Sequence, residues 1–314
     1  MPCRPRATFP PSQLTSHADC LRSLSFANLD TRRHDIETAL PDTCNWLFGT
    51  AEFEEWRCRT RVAFHNGVLW IKGKPGAGKS TLIKHTLRHY EATFASHLIA
   101  AYFFHARGGM LEKNPLGMLR SIVFQLVDKD EGLYEHFVPI FREKRRIYGD
   151  ADGSWQWQRR QLEDFLVSVV QRRRTQRPLL LLVDALDECA DGDIRDVVGL
   201  LESLSTHAAK AGTTLRICLS SRHYPHVSMK RKLELTVEGT PGHCQDIATY
   251  LSERLIVRDD KIEAEIRERA NGIFMWVVIV ISLLNKAYTT ATLKRCEWCS
   301  RRCRTISRSC SITC

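Results

Sequence analysis

The chain has 314 residues, 43% of them hydrophobic, and a formal net charge of +10. This length and composition support one large buried core or two smaller ones, as in an ordinary globular protein, and nothing in them indicates a fibrous or disordered chain. No apolar segment follows the N-terminal arginines, so a secretory signal is not expected. The longest apolar run, residues 273–284, is shorter than the roughly 20 residues of a membrane-spanning helix. We expect it to form a buried helix.

The positive charge is unevenly distributed along the chain. Residues 289–314 carry +5, which is half of the excess. The basic clusters at 142–146 and 171–174 lie in helix-like polar stretches and are typical of solvated helix faces. No aromatic-rich stacking surface accompanies the charge, so binding to nucleic acid is disfavoured.

Five of the twelve cysteines lie in the same C-terminal segment. Cys296, Cys299 and Cys303 have a spacing that can begin a zinc site, but no histidine lies nearby. We therefore expect residues 289–314 to form a disordered, basic, cysteine-rich tail. The other seven cysteines are scattered, which is typical of a cytoplasmic protein in a reducing compartment.

Residues 1–20 are predicted to be a flexible arm and residues 21–56 a helical linker. Asp30 is placed to cap a helix that would end near Pro41. Beyond the linker, short apolar or alternating runs bounded by turn residues predict five strands. These strands lie at residues 66–73, 97–105, 178–184, 214–221 and 232–237.

The first four predicted strands are apolar throughout, which indicates burial on both faces of a sheet. Helical stretches separate them, among them residues 115–127 and 159–173. We therefore predict an α/β fold with a five-stranded, mainly parallel sheet between helices. The fifth strand alternates in polarity and is expected at an edge. After Gly239, a small helical appendage is predicted to run to about residue 288.

Residues Gly73–Ser80, GKPGAGKS, match the P-loop pattern G-x4-G-K-[ST] between a predicted strand and a predicted helix. In this motif, backbone N–H groups curl around phosphate oxygens and the helix N-terminus favours the anion. Lys79 is predicted to reach the β- and γ-phosphates, the Ser80 hydroxyl to coordinate Mg²⁺, and Thr81 to contact the α-phosphate. The predicted phosphate-binding residues are Gly73, Pro75, Gly76, Ala77, Gly78, Lys79, Ser80 and Thr81.

The segment LLLLVDALDE, residues 179–188, ends an apolar strand in Asp184. At the carboxyl edge of a parallel sheet this carboxylate lies beside the P-loop, where it is expected to hold Mg²⁺. Asp187 and Glu188 follow within a turn and are predicted to polarise the attacking water. A helix cap also explains acidic residues at such a position, but the P-loop favours the catalytic interpretation.

Arg222 follows the fourth strand, within SSRHYP at residues 220–225. It is a candidate for sensing the γ-phosphate from the same sheet edge, and a surface salt bridge explains it equally well. His223 is expected to be structural or exposed. No signature for reading the base is present, although Trp46 and Trp56 are candidates for stacking on it.

Together, GKPGAGKST, LLLLVDALDEC, YFFHARG followed by NPLGMLRSIVFQL, and CLSSRHYP resemble the NACHT family of STAND-type signalling NTPases. The likeness is to the fungal, NLR-like type whose NTPase resembles the nephrocystin N-terminal region. The resemblance implies a NACHT P-loop NTPase domain at residues 57–239, with Walker A and Walker B motifs. Residues 21–56 resemble its preceding linker and residues 240–288 the start of its helical lid. The tail, 289–314, resembles nothing in the family.

The resemblance implies ATP or GTP as ligand, Mg²⁺ as cofactor, and slow hydrolysis in a signalling switch of the innate-immunity or programmed-cell-death type. It assigns the metal to Asp184, the water to Asp187 and Glu188, and the sensor role to Arg222. His243, in the lid-like segment, is expected either to approach the nucleotide or to serve as a structural residue at a helix start. Homo-oligomerisation or co-assembly with NACHT relatives is also implied.

Members of this family usually carry an effector domain and a long C-terminal array of repeats, and we expect this chain to be truncated before any repeats. A second hypothesis is therefore a non-catalytic, nucleotide-binding adaptor that regulates longer relatives by co-assembly. A nucleic-acid-dependent NTPase is disfavoured by the charge distribution. A small-molecule kinase is disfavoured because the Asp187–Glu188 pair suits activation of water better than transfer of phosphate to a substrate.

Overall fold

All five predicted strands form one parallel sheet in the computed structural model, which describes residues 11–149, 155–172, 177–190, 192–224 and 228–290. The order of the strands across the sheet is β2-β3-β4-β1-β5. Every pairing between neighbours is parallel. The strands are β1 Val68–Lys72, β2 Leu98–Phe103, β3 Leu179–Asp184, β4 Leu215–Ser221 and β5 Leu233–Thr236.

The burial of the strands agrees with their sequence patterns. Strands β2 and β3 are buried along their whole length, whereas β5 is at an edge and buries Leu235 between two exposed neighbours. The register pairs Lys72 with Ser221 and Phe103 with Asp184, so the carboxyl ends of the strands meet at one edge. A fully apolar strand is stable only when both faces of the sheet are covered.

Helices cover both faces of the sheet. Val68 and Trp70 of β1 belong to one core with α1 and α6 to α9, whereas Leu69 and Ile71 pack into a second core with α3 and α5. This is the α/β architecture that the sequence predicts. The helices are α1 Pro11–Leu24, α2 Thr31–Asp35, α3 Ala51–Cys58, α4 Val62–His65, α5 Lys79–Thr93, α6 Pro115–Lys129, α7 Glu131–Tyr148, α8 Arg159–Arg172, α9 Asp193–Ala211, α10 Pro241–Arg254, α11 Asp260–Ala270 and α12 Phe274–Thr290.

The predicted helical appendage has a small core of its own, formed between α10, α11 and α12. Its last two helices are separated by Asn271 and Gly272, which both have positive φ. The apolar run 273–284 lies in α12, but the expectation of a buried helix holds for one face only: Met275 and Ile279 are exposed. In the part of the chain that the structure describes, no helix combines the length and apolar character needed to cross a membrane.

The helix predicted from Asp30 to Pro41 is much shorter than expected. It occupies only Thr31–Asp35, and the Asp30 side chain makes no capping hydrogen bond. The backbone becomes extended at Ile36. The Lys84 ammonium of α5 donates to the Ile36 carbonyl and, at 3.4 Å, to the His34 carbonyl. A tertiary contact therefore supplies the hydrogen bonds that a longer helix would have made.

The basic cluster at 142–146 lies on α7, as predicted, but one of its members is not solvated. Lys144 is buried, and its ammonium donates to the Gln156 carbonyl at 2.7 Å and lies 4.7 Å from the centre of the Trp155 ring. A cation over an aromatic face is stabilised by the ring's negative potential. The predicted zinc-like cysteines and basic tail, from residue 291 onward, lie outside the described residues.

Trp56 fixes the linker to the sheet, and its removal is expected to destabilise the protein strongly. Its ring is fully buried against Phe53 and Tyr90, and its indole N–H donates to the Gly67 carbonyl at 2.8 Å. Trp56→Ala should lower the free energy of unfolding by about 3–5 kcal/mol, measured by urea denaturation. Phe64→Ala is the control because its ring is 74% exposed. Equal losses in the two variants would contradict the assignment.

Candidate nucleotide-binding site

The P-loop connects the end of β1 to the start of α5. Gly76 and Gly78 have φ values of +74° and +89°, which only glycine adopts without strain. A Cβ added at Gly78 would meet no atom within 4 Å, so this part of the loop faces open space. The loop therefore has the strand, turn and helix N-terminus that bind phosphate in P-loop proteins.

Lys79, the first residue of α5, is held inside the loop. Its ammonium donates to the Gly73 carbonyl at 2.8 Å and to the Lys74 carbonyl at 2.9 Å. Burial lowers the pKa of Lys79, while the carboxylates of Asp187 and Asp184 oppose that shift. An ammonium has three N–H donors, so one remains for a further acceptor.

The other predicted phosphate-binding residues lie along the same loop and the first turn of α5. Ala77 is buried and its N–H donates to the Lys74 carbonyl at 3.2 Å, which tightens the turn. Pro75, Ser80 and Thr81 are partly exposed. The site thus presents backbone N–H groups and hydroxyls around the buried Lys79.

Asp184 ends β3 and is fully buried. Its Oδ1 accepts a hydrogen bond from the Ser220 hydroxyl, which in turn accepts from the Ala185 N–H at 2.9 Å. Its Oδ2 is buried and lacks a hydrogen-bond partner among the described residues. Burial raises the pKa of Asp184, and the nearby hydroxyls of Ser220 and Ser80 oppose the rise.

The side-chain oxygens of Asp184 and Ser80 are suitable ligands for Mg²⁺. A buried carboxylate oxygen without a hydrogen-bond partner destabilises the folded state unless a cation or another donor binds it. Mg²⁺ prefers oxygen ligands such as carboxylates and hydroxyls. Among the described residues there is no cluster of three or more His, Cys, Asp or Glu side chains able to hold a metal ion. In nucleotide sites, Mg²⁺ is usually held through one or two protein ligands together with nucleotide phosphates.

Asp187 and Arg222 are brought together, in an arrangement that differs from their separate predicted roles. Asp187 Oδ1 accepts from the Arg222 backbone N–H at 2.8 Å, and Oδ2 lies 2.9 Å from Arg222 Nε. The salt-bridge alternative for Arg222 is therefore present, and its partner is itself a predicted site residue. Both oxygens of Asp187 are engaged, so this carboxylate positions Arg222.

Glu188 lies in the short 3-10 helix that follows β3. Its Oε2 accepts a hydrogen bond from the Ala106 N–H at 3.0 Å, beyond the end of β2. Its Oε1 lies 3.9 Å from Nη2 of Arg32, a residue of α2 that the motifs do not include. Glu188 therefore joins three segments at the carboxyl edge of the sheet.

Glu238 is a second residue that no motif indicates. Its Oε2 accepts from the Lys74 N–H of the P-loop at 3.2 Å, and its Oε1 lies 2.5 Å from His223 Nε2, next to Arg222. Burial alone would raise the pKa of Glu238, but the hydrogen bonds from His223 and the backbone bring it below its ordinary value. His223 is thus structural, as expected, and bonds to the carboxylate that supports the loop.

The helical appendage lies directly against the P-loop. The Met275 N–H donates to the Gly76 carbonyl at 2.9 Å, and Lys74 Nζ donates to the Asn271 carbonyl at 3.1 Å. A Cβ at Gly76 would lie 2.9 Å from the Met275 Cβ, so glycine is required for this close approach. His243 is buried and bonds to the Gly272 carbonyl at 2.9 Å, which supports its structural interpretation.

The two tryptophans proposed to stack on a base have other partners. Trp56 is fully buried and hydrogen-bonded to Gly67, so it cannot stack on a ligand. Trp46 donates from its indole N–H to Asp246 at 2.8 Å and packs against Gly242 of α10. Both rings hold the linker to the rest of the fold.

Residues 42–222 match the family model described as "Nephrocystin 3, N-terminal", which covers more than half of the chain. The chain belongs to this family. It is also 26% identical over 282 residues to the vegetative incompatibility protein HET-E-1 of Podospora anserina. That alignment covers 80% of this chain but only 19% of HET-E-1. The matches, with the P-loop, support the NACHT-type, NLR-like P-loop NTPase that the sequence predicts.

Solved structures that superpose on this member of the nephrocystin 3 N-terminal family do so with low structural similarity. The Walker-type ATPase PABY2304 of Pyrococcus abyssi gives a TM-score of 0.46 at 12% identity, covering 88% of this chain and 77% of that chain. PCH-2 of C. elegans gives 0.38 at 12% identity, covering 85% and 68%. At these scores neither overlap adds to the fold assignment, which rests on the strand order and the P-loop of this chain.

Proposed function

We propose that the protein binds a nucleoside triphosphate, ATP or GTP, with Mg²⁺ at the P-loop and hydrolyses it slowly as part of an NLR-like signalling switch. The observation that carries this proposal is the pairing of two buried, incompletely satisfied groups at one sheet edge. Lys79 has one N–H group left after its two hydrogen bonds, and Asp184 has one carboxylate oxygen without a hydrogen-bond partner among the described residues. A triphosphate with its metal supplies the missing acceptor and the missing cation together.

The residues of the chain have separate tasks in this proposal. The N–H groups around Gly76 and Gly78 bind the phosphates, and Lys79 neutralises them. Asp184 and Ser80 would hold Mg²⁺, and the bound ion would neutralise charge that develops on the phosphate oxygens. Arg222, oriented by both oxygens of Asp187, presents a fixed positive charge toward the same edge. Glu188 is the carboxylate proposed to orient the attacking water.

The direct test is to release and identify the nucleotide that copurifies with the protein. Chromatography of the released material reports the base and the number of phosphates. Calorimetry of nucleotide-free protein with ATP and GTP, each with Mg²⁺ and with a chelator, then gives the affinities. A protein that carries no nucleotide and shows no Mg²⁺-dependent binding would refute the proposal.

A second candidate function is a non-catalytic nucleotide-binding adaptor that assembles with longer NACHT relatives. One observation favours it: the carboxylates proposed to act on water are engaged elsewhere. Asp187 binds Arg222, and Glu188 accepts the Ala106 N–H and faces Arg32. A base that is hydrogen-bonded to the protein is poorly placed to accept a proton from water.

Turnover measurements distinguish the two candidate functions. If Glu188 orients water, Glu188→Gln should reduce phosphate release by about 10²-fold or more, because a neutral amide accepts protons poorly. Nucleotide binding by this variant should persist. Lys79→Ala provides the background rate without bound nucleotide. Equal rates for wild type, Glu188→Gln and Lys79→Ala would exclude hydrolysis and support the adaptor.

The proposed switch assembles with other copies or relatives and works in the cytoplasm. Homo-oligomerisation or co-assembly with NACHT relatives is supported by the resemblance to NLR-like proteins, and mass measurements with di- and triphosphate test it. A cytoplasmic location is supported by the six described cysteines, which are all unpaired thiols. The chain spans 19% of the length of HET-E-1, so a role in signalling is likewise proposed for it and not taken from that relative.

A further inference from the structure

Arg32 brings a positive charge to the sheet edge from the segment upstream of the family match. It lies on α2, and its side chain is 27% exposed. Its Nη2 is 3.9 Å from Glu188 Oε1, which is an ion pair at the limit of contact and not a close hydrogen bond.

The guanidinium of Arg32 has a buried donor without an acceptor. Its Nε is inaccessible to solvent and has no hydrogen-bond partner among the described residues. A buried N–H that has lost its water and gained no partner is costly, and such groups in folded proteins call for an explanation. Glu188 makes no close hydrogen bond to this guanidinium: its Oε1 lies 3.9 Å from Nη2, and its Oε2 accepts the Ala106 N–H.

Two comparisons show that this situation is particular to Arg32. Arg222, the arginine predicted as sensor, has its Nε 2.9 Å from Asp187 and is therefore already partnered. Arg33, the next residue of α2, points to Glu91 of α5 at 4.0 Å and is partly exposed. Of these three arginines, Arg32 alone combines a buried, unpartnered Nε with a place beside Glu188.

The segment that carries Arg32 is fixed to the helix that carries the P-loop lysine. Lys84 of α5 donates to the carbonyls of His34 and Ile36, and Arg88 of the same helix donates to the Thr38 hydroxyl at 3.0 Å. The position of Arg32 relative to Lys79 is therefore defined by packing. A side chain held in this way binds a ligand with little further loss of conformational freedom.

We propose that Arg32 is a phosphate-binding residue that contacts the terminal phosphate of a nucleoside triphosphate, so that the site discriminates triphosphate from diphosphate. The inference rests on the proposed function. A guanidinium presents a planar set of donors that matches phosphate oxygens better than any other side chain. Arg32 lies beside Glu188 at the sheet edge where β3 ends in Asp184, and a bound metal and the attacking water would act on the last phosphate there. Phosphate oxygens then give the partly exposed guanidinium the close acceptors that Glu188, 3.9 Å from Nη2, does not supply.

The test compares triphosphate and diphosphate affinities in wild type, Arg32→Ala and Arg33→Ala. Calorimetry uses ATP, ADP, GTP and GDP with Mg²⁺, and the pair that wild type binds is carried forward. Arg32→Ala should weaken triphosphate binding by about tenfold or more and leave diphosphate binding within about threefold, because one charge-assisted contact is removed. Arg33→Ala, the matched control, should leave both affinities unchanged.

A second measurement uses wild type and does not depend on the folding of a variant. Amide hydrogen exchange in residues 28–40 should slow with Mg²⁺ and a non-hydrolysable triphosphate, relative to Mg²⁺ and the diphosphate. If exchange is equal in the two states, or if Arg32→Ala weakens both ligands to the same extent, the inference is overturned while the proposed function stands. If wild type binds neither ligand, the proposed function itself fails.

Discussion

Lys79→Ala is expected to weaken triphosphate binding strongly. The variant removes the one buried ammonium of the P-loop, whose two donors to Gly73 and Lys74 also hold the turn. Loss of a charge-assisted contact in a desolvated site costs about 1.5–3 kcal/mol, and the relaxation of the loop adds to it. Affinity for triphosphate with Mg²⁺ should fall by about 10²-fold or more, as measured by calorimetry.

The free energy of unfolding is expected to change little in Lys79→Ala. Burial lowers the pKa of Lys79, which means that the charged form is held in the folded state at a cost. Lys210→Ala is the control, since Lys210 is an exposed residue in the last turn of α9. Wild-type affinity in Lys79→Ala, with the control also unchanged, would contradict the assignment of the P-loop.

Asp184→Asn is expected to remove the Mg²⁺ dependence of binding and, without ligand, to raise stability at neutral and alkaline pH. Burial raises the pKa of Asp184, so its charged form is disfavoured in the folded state. Each tenfold change in an acid dissociation constant corresponds to about 1.4 kcal/mol. Asparagine has no charge to bury and keeps an oxygen to accept from Ser220.

The sign of the pH dependence follows from the raised pKa. The contribution of Asp184 to the free energy of unfolding is present below the ordinary aspartate pKa of about 4, and it is lost as the pH rises through the raised folded-state value. The advantage of Asp184→Asn should therefore grow from about pH 4 toward pH 8 in denaturant titrations.

Asp164→Asn, an exposed carboxylate on α8, provides the comparison for Asp184→Asn. It should show no such growth with pH and should retain Mg²⁺-dependent binding. An Asp184→Asn protein that becomes progressively less stable than wild type as the pH rises would show that the buried carboxylate is stabilised by its surroundings. That outcome would contradict the assignment of Asp184 as a carboxylate that needs a bound cation.

The sheet and the P-loop were predictable because local patterns define them. Apolar runs of strand length alternate with helical stretches, and β5 alone alternates in polarity, so all five strands and the edge position of β5 follow from the sequence. The glycine pattern at Gly73–Ser80 defines the turn in the same way. These elements depend on residues that are close together in the chain.

The features that were not predicted depend on contacts between distant segments. The helix after Asp30 stops early because Lys84, some fifty residues downstream, takes up its carbonyls. The pairing of Asp187 with Arg222 and the bridging position of Glu238 join strands that are adjacent only in the sheet. An unpartnered donor such as Arg32 Nε is likewise a property of its three-dimensional surroundings.

The contact between Met275 and Gly76 has a thermodynamic consequence. The Gly76 carbonyl accepts a hydrogen bond from α12, and the space where a Cβ would lie at Gly76 is occupied by Met275. A ligand that alters the P-loop therefore alters the free energy with which α12 docks. Because such coupling is reciprocal, anything that binds α12 and favours or disfavours its docking changes nucleotide affinity by the same factor. The exposed Met275 and Ile279 are the positions at which such an influence would enter.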